Sequence, residues 1–338
     1  MWQYLLLLAV AVLVKGSALI CKKDCALENS NTTLGIHVYE IKGKEIELQL
    51  NSTHFSLDCN NHELDYNSLP KSNGTIKYDK ITFNNCIFSP LQITDILNNL
   101  KIIANYLSLN KWQPLNSDIF SNVAGINRLE IKNSETTPKL LENMRNLTEL
   151  SFLNTNIPND IILPTELRNL TFVNCTSKSI LIPSIKYLIL EKFVLSHNKI
   201  ESFPPNFLNG INLRLIDLSY NKLTDIPVDL LSFTNLEELY LQGNSITSLA
   251  TNMFYNLSKL KVLNLSHNLI NRLPEEIFNS LSKLITLDIS HNNLSYVEYF
   301  AFPGTSGSLQ KLDMSYNKLT VNSLCHSGTT RLDSLHQV

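Results

Sequence analysis

The chain has 338 residues, of which 43% are hydrophobic and 17% charged, with a formal net charge of -2 and a pI near 6.4. That balance excludes a strongly basic nucleic-acid binder and an acidic disordered tail, so no nucleic-acid partner is expected. The length would suit two ordinary domains, but a chain that grows by adding similar coils can reach it as one elongated domain.

In chain order, Tyr4 to Val14 are almost uniformly apolar and are followed by Gly16-Ser17-Ala18, which predicts a secretory signal peptide over 1–18, cleaved after Ala18. Residues 19–77 do not repeat. Four of the six Cys lie between 21 and 86, and the alternating runs Ile36–Tyr39 and Ile46–Leu50 flank a turn at Lys42-Gly43-Lys44, so a hairpin is expected there. Four Cys allow three pairings; the position of Cys59 just ahead of Cys86 favours joining those two. Cys21 and Cys25 have no His nearby, and a disulfide role is preferred over a metal site.

From Tyr78 to 189 aliphatic and aromatic residues recur at coil-like intervals: Ile81, Phe83 and Cys86; Leu107, Leu109 and Trp112; Ile126, Leu129 and Ile131; Leu147, Leu150, Phe152 and Ile157; Leu167, Leu170, Phe172 and Cys175. Their starts, taken from Tyr78 and Ala104 for the first two, lie 26, 22, 21 and 20 residues apart. Cys175 reads as a free buried thiol. The stretch 180–200 is ambiguous, because Leu190 starts a normal 23-residue spacing after Leu167 while Ile185–Leu190 itself looks like a strand. Either Ile185 and Leu188 fill the back of one coil, or about 19 residues of a longer parent are missing. The strand-like character of the segment favours the loss.

Over 190–319 the pattern becomes regular. With L as any aliphatic residue, LxxLxLxxNxL fits, with one aromatic substitution at Phe193, six segments starting at Leu190, Leu213, Leu236, Leu260, Leu284 and Leu309, spaced 23, 23, 24, 24 and 25 apart. The period and the five fixed positions identify an α/β leucine-rich repeat solenoid: a curved parallel β-sheet on the concave face, an irregular convex side, and residues 19–77 as a disulfide-stapled N-terminal cap. Aliphatics at alternate strand positions share one face and build a common core. The Asn ladder of 198, 221, 244, 268, 292 and 317 falls where the chain leaves each strand, and these amides are expected to be buried and to satisfy backbone groups of their own and the neighbouring coil. Phe254, Phe278 and Phe302 keep the same phase and predict an aromatic spine behind the sheet. After Leu319 the pattern stops. The tail 320–338 is polar and holds a single Cys, so the last coil is expected to be uncapped, with no membrane helix after the repeats.

Nine N-x-S/T sequons accompany the signal peptide, at Asn31, Asn51, Asn73, Asn146, Asn169, Asn174, Asn256, Asn264 and Asn293. Together with the cysteines they predict a secreted, disulfide-bonded glycoprotein. A glycan on Asn264 would block the concave face there. No Walker A, G-x-S-x-G, H-E-x-x-H or dinucleotide pattern is present, so neither an enzyme nor a cofactor or metal is expected. Asp217, Glu237, Glu238, Asp288 and Asp313 recur because the repeat does. His197, His267 and His291 share position 8 of their coils; paired His can sense pH or bind a metal, but Tyr220, Gly243 and Tyr316 occupy the same slot and a loop role is preferred. Positions 2, 3, 5, 7 and 8 of each coil are expected to face away from the core.

The Cys-bearing cap, the stretch Ile81-Thr82-Phe83-Asn84-Asn85-Cys86 into Ile93-Thr94-Asp95-Ile96-Leu97, and the coils to Leu319 resemble the ectodomain of insect Toll receptors. The resemblance implies a receptor that binds a Spätzle-like cystine-knot cytokine, dimerises, and signals through a cytoplasmic TIR domain. This chain carries no membrane helix or TIR domain, so a truncated or soluble form is expected, with a decoy role or a secreted adhesive leucine-rich repeat protein as alternatives. Because ligands of Toll-like receptors favour the N-terminal half, Lys80, Lys111, Arg128, Glu130, Lys132 and Glu149 are the expected ligand-binding residues.

Overall fold

In a computed structural model of the chain, the described residues are 19–21, 35–41, 44–50, 53–63, 75–87, 93–112, 120, 125–175, 189–204, 207, 212–298, 301–302, 305 and 307–320. The expected signal peptide 1–18, Cys25, the sequons Asn31, Asn51 and Asn73, the strand-like segment before Ile189, and the tail beyond Thr320 with Cys325 lie outside them. No helix among the described residues is long and apolar enough to cross a membrane. The chain divides into two compact units, Met1–Leu147 and Thr148–Val338.

In the first unit, β1 (Leu19–Cys21) pairs in parallel with β2 (Gly35–Ile41), and β2, β3 (Lys44–Leu50) and β4 (His54–Glu63) run antiparallel. Ile41 faces Lys44 where the β2–β3 hairpin closes, as the alternating runs predict. From β4 onward the pairing is parallel, through β5 (Ile76–Ile87), β6 (Ile102–Asn110) and β7 (Arg128–Lys132). Phe55 and Leu57 of β4 stand opposite Ile81 and Phe83 and are each 1% exposed. The coil series therefore begins one strand before the repeat is legible in the sequence.

The register of β4 slips between Asp58 and His62. Asn60 and Asn61 take up the extra length in left-handed conformation, at φ 50° and 63°, which Asn tolerates better than most residues. Asp58 fixes the bulge by accepting from the Asn60 N–H at 2.9 Å and from Asn85 Nδ2 at 2.9 and 3.0 Å. Cys59 then points inward and joins Cys86 in a disulfide with Cα atoms 4.8 Å apart. Behind this sheet, α1 (Ile93–Asn99) buries Ile93, Ile96 and Leu97, with Leu100 just beyond it, a spacing of three and four that places one apolar stripe alongside β6.

The second unit stacks β8 (Glu149–Leu153), β9 (Asn169–Val173), β10 (Lys192–Val194), β11 (Leu215–Asp217), β12 (Glu238–Tyr240) and β13 (Val262–Asn264) in parallel. A two-residue strand β14 (Arg272–Leu273) then pairs with β16 (Tyr296–Val297) on the other side of the coils, while β15 (Thr286–Asp288) and β17 (Lys311–Asp313) continue the main series. One inward residue per strand stays in register: Leu150, Leu170, Phe193, Ile216, Leu239, Leu263, Leu287 and Leu312. β9 and β10 are direct neighbours, with Leu170 opposite Phe193; residues 176–188, on which the choice between one coil and a lost segment turns, lie outside the described residues.

Packing explains the fixed positions. The inward leucines are fully buried through most of the second unit, and Phe254, Phe278 and Phe302 stack behind them with ring centroids 6.0 and 5.4 Å apart. Each Asn from 221 to 317 performs the same task. Asn268 Oδ1 accepts from the Ile246 N–H at 3.0 Å, while its Nδ2 donates to the carbonyls of Leu241, Leu265 and Ser266 at 3.0, 3.1 and 3.2 Å. One amide thus satisfies the turn of its own coil and two backbone groups of the coil before it. Asn221, Asn244, Asn292 and Asn317 repeat the arrangement. Asn198 begins it, accepting from the Cys175 N–H at 2.8 Å and donating to the Phe172 carbonyl at 2.8 Å. Asn317 is only half-buried, since no described coil follows it.

Cys175 fills the Asn slot of its own coil and is a free, buried thiol. Its Sγ donates to the Phe152 carbonyl at 3.3 Å, and burial pushes its pKa up to about 11. The thiolate, which is the nucleophile, is therefore scarce at pH 8. Iodoacetamide at pH 8 is expected to leave Cys175 unmodified in the native protein and to alkylate it fully in urea, as read by peptide mass; rapid native alkylation would refute its burial.

Candidate functional site

A parallel sheet with one face in the core presents every second side chain on the other face, so neighbours on that face come from different coils. In the first unit the register sets three rows across four strands. One row is His54, Lys80, Tyr106 and Arg128; the next is Ser56, Thr82, Ser108 and Glu130; the third is Asp58, Asn84, Asn110 and Lys132. Four of the expected ligand-binding residues, Lys80, Arg128, Glu130 and Lys132, come together here.

Glu130 is the hub. Its side chain is 12% exposed, and Oε2 accepts from Ser108 Oγ at 2.8 Å, Lys132 Nζ at 3.0 Å and Lys80 Nζ at 3.4 Å. Burial opposes its ionisation, but Lys132, Ser108 and Lys80 together outweigh that and hold its carboxyl below the usual range. Tyr106 lies beside it. Lys80 Nζ sits 4.4 Å from the Tyr106 ring centre and the Arg128 guanidinium 5.6 Å from it, within cation–π range. Burial first, and the neighbouring Glu130 charge second, raise the Tyr106 phenol to about 12, so it stays protonated. An amide ladder runs through the third row: Asn133, just after β7, donates to Asn110 at 2.8 Å, Asn110 to Asn84 at 3.1 Å and Asn84 to Ser56 Oγ of the second row at 3.2 Å.

Of the other two expected residues, Lys111 stands outside this cluster and Glu149 belongs to the second unit. Lys111 occupies the left-handed turn after β6, at φ 51°, where its N–H donates to the Lys132 carbonyl at 3.0 Å. Glu149 opens β8 in the second unit, opposite Asn169. Tyr106 was missed because its residue type carries no charge and only the strand register reveals its place.

The second unit carries a different face. Position 2 of successive coils forms an alternating charge ladder in which Arg168 contacts Glu191 at 2.5 Å, Arg214 pairs with Glu237, and Lys261 reaches Glu237 at 2.6 Å. Hydrogen bonds from Lys261 and then Arg214 bring the Glu237 pKa down to about 2. Beside the ladder, Glu191, Asn212, Arg214, Asn235, Glu237 and Lys259 line a shallow polar depression of about 360 Å³.

Position 7 differs from expectation. Ser196, Ser219, Ser266 and Ser290 are 3 to 7% exposed rather than outward-facing. The residue after the strand is covered by its neighbours, and Ser266 and Ser290 hydroxyls bond Asn264 and Asp288 at 2.7 Å. Position 8 is a stack of rings in left-handed conformation: His197 on Tyr220 at 4.4 Å, His267 on His291 at 4.2 Å, and His291 on Tyr316 at 4.1 Å. Gly243 completes the column, with a φ of 70° and the Tyr220 ring lying over it where a Cβ would come within 2.5 Å.

Six sequons fall on described residues. Asn146 and Asn256 are exposed in turns, and Asn174 is exposed with its Nδ2 donating to Asn154 at 2.8 Å. Asn169, Asn264 and Asn293 are half-buried, and Asn169 and Asn264 stand on strands of the open face.

Comparison with known proteins follows the same lines. The leucine rich repeat family matches residues 189–246, 234–294 and 270–319. No curated protein matches the chain in sequence. Among solved structures, Toll in its complex with Spätzle from Drosophila is similar at 18% identity over 90% of this chain and 58% of that one, with a TM-score of 0.50. An internalin from Listeria monocytogenes is similar at 19% identity over 84% of this chain and 86% of that one, TM-score 0.57. A chain of the octameric complex of Latrophilin 3, Unc5D and FLRT2, in which FLRT2 supplies the leucine-rich repeats, matches at 19% identity over 70% of this chain and 75% of that one, TM-score 0.56. This chain thus spans less than two thirds of the Toll chain, and at these identities the likeness is one of fold. Residues 189–319 are leucine-rich repeats, and the fold they belong to is a leucine-rich repeat solenoid with a disulfide near its N-terminal end.

Proposed function

We propose that the chain is the extracellular ligand-binding part of a Toll-type receptor, and that its first unit captures a Spätzle-like cystine-knot cytokine. The observation that carries the reading is the convergence of Lys80, Tyr106, Arg128, Glu130 and Lys132 on three adjacent strands, a polar surface built without a reaction centre. A rigid sheet face of this kind suits a protein partner, because side chains on neighbouring coils are held in fixed relation to one another. Toll, which shares the fold, is seen in complex with Spätzle. The Cys59–Cys86 disulfide fits an oxidising compartment and so a secreted or cell-surface protein, with sugars at exposed sequons such as Asn146 and Asn256.

The second reading is an adhesive leucine-rich repeat protein, favoured by the likeness to a complex that contains FLRT2, Unc5D and Latrophilin 3. Surface plasmon resonance of the secreted chain over an immobilised Spätzle-type cytokine separates them. The receptor reading expects a Kd of about 1 μM or tighter, near -8 kcal/mol. No response at about 100 μM, with binding instead to cell-surface ectodomains, would overturn it.

A further inference from the structure

Resting on the reading that the chain is secreted, we infer that Asn264 carries an N-linked sugar whose first residues lie across Tyr240 and Val262, closing this part of the second unit's open face to a protein partner. Asn264 stands on β13, with Tyr240 opposite it on β12 and Asp288 opposite it on β15. It is half-buried and opens the sequon Asn264-Leu265-Ser266. Oδ1 accepts from the Ser266 N–H at 2.9 Å and from the Ser266 hydroxyl at 2.7 Å, while Nδ2 has no partner.

The same position in other coils shows what the fold needs there. Asp217, Asp288 and Asp313 each accept from the N–H of the serine two residues on, at 2.9, 3.0 and 2.9 Å. An acceptor is all that this turn requires, and a carboxylate makes a stronger one than an amide. Avoidance of like charges does not account for the amide either, since Asp288 and Asp313 stand opposite one another. What Asn264 has and an Asp would lack is Nδ2, the atom to which a sugar is joined. At Asn174, by contrast, Nδ2 is committed to Asn154 at 2.8 Å. The transfer forms a bond between Nδ2 and C1 of the sugar, breaks the bond from C1 to the pyrophosphate of a lipid-linked oligosaccharide donor, and releases one amide proton. The oxygen that holds Ser266 is untouched, so the sugar-bearing chain closes the same turn.

The neighbours suit a pyranose ring. Tyr240 and Val262 are half-buried and give the open face an aromatic and an aliphatic surface beside Asn264. The Tyr240 hydroxyl donates to Glu238 at 2.7 Å, which fixes the direction of the ring. Paired strands lie about 4.8 Å apart, so a sugar rooted on β13 reaches Tyr240 directly. Its CH face covers the apolar atoms while its hydroxyls stay in water.

The test uses the full chain secreted from a eukaryotic cell. Peptide-N-glycosidase digestion in heavy-oxygen water is expected to convert Asn264, together with Asn146 and Asn256, to labelled Asp. Hydroxyl-radical footprinting is expected to oxidise Tyr240 and Val262 several-fold faster in Asn264→Asp than in the sugar-bearing chain, with Tyr106 of the first unit unchanged. The variant keeps the Ser266 acceptor, and its melting midpoint is expected within about 2 °C of the parent, which shows that it is folded. An unlabelled Asn264 beside labelled Asn146 and Asn256 would overturn the inference and leave the secreted reading standing; no label at any of the three would overturn both. A labelled Asn264 with an unchanged footprint would overturn the cover over Tyr240 and Val262.

Discussion

Asn268→Ala is expected to destabilise the second unit by roughly 3–5 kcal/mol, far more than an ordinary polar-to-Ala change. The substitution strands the Ile246 N–H, a buried donor whose acceptor was Asn268 Oδ1, and it removes a donor shared among the Leu241, Leu265 and Ser266 carbonyls. An orphaned donor costs about 1–3 kcal/mol and each lost bond about 1 kcal/mol. The comparison that isolates this cause is Asn317→Ala. Asn317 makes equivalent bonds but is half-buried, so water can replace the amide, and the loss there should be about 1–2 kcal/mol. Asn268→Asp adds a test of charge. Its carboxyl would be buried among carbonyl acceptors, which raises its folded pKa above the unfolded value. The stability it retains would then be present at acid pH and be lost as pH rises through the folded pKa. Urea unfolding and amide hydrogen exchange at Ile246 and Leu241 read all three variants. Equal losses at Asn268 and Asn317 would sink the account.

The ladder could be read from the sequence because it answers a demand that recurs in every coil. Each strand end exposes the same backbone groups, so the same residue type returns at the same phase. The inward leucines are legible for the same reason. Outward positions answer no such demand, and that is why the open face was only half visible. Lys80, Tyr106 and Arg128 form one row although they lie 26 and 22 residues apart, an irregular spacing that only the strand pairing resolves. Lys111 carries the right charge but falls on a turn. The four serines at position 7 were assigned outward by strand alternation, which fails once the chain bends out of the strand. The helix α1 was hidden by its length, since seven residues hold too few turns to display a period. Phe55 and Leu57 were assigned to the cap because the slipped register after Asp58 breaks the repeat pattern that would have marked them.

The first unit has no asparagine at the slot that Cys86 occupies, and the disulfide takes over the knitting there. Replacing Cys59 and Cys86 together by Ala is therefore expected to destabilise this unit by about 3.5 kcal/mol, the chain-entropy value for a loop of this length. The two cysteines are 27 residues apart and are 0 and 1% exposed, so the bond joins β4 to β5 inside the core at the point where the β4 bulge interrupts their pairing. Without it, the left-handed Asn60–Asn61 step keeps the Asp58 carboxylate and the flanking pairs Phe55–Ile81 and Leu57–Phe83 but loses its covalent anchor. Loss should therefore appear first as faster amide exchange in β4 and β5. In a repeat protein, stability is a sum of coil and nearest-neighbour contributions, so amides of β13 and β15, some eight coils further along the chain, should exchange at their original rate. Dithiothreitol on the unmutated protein should reproduce the effect, while Cys175→Ala, which removes only a free thiol, should spare β4 and β5. A loss below about 1 kcal/mol, or a uniform acceleration across both units, would show that the bond does not serve as the local staple of these strands. A confined loss would mean that one fold closes its strand ends by two chemistries, an amide where the coil is regular and a covalent bond where a bulge makes it irregular.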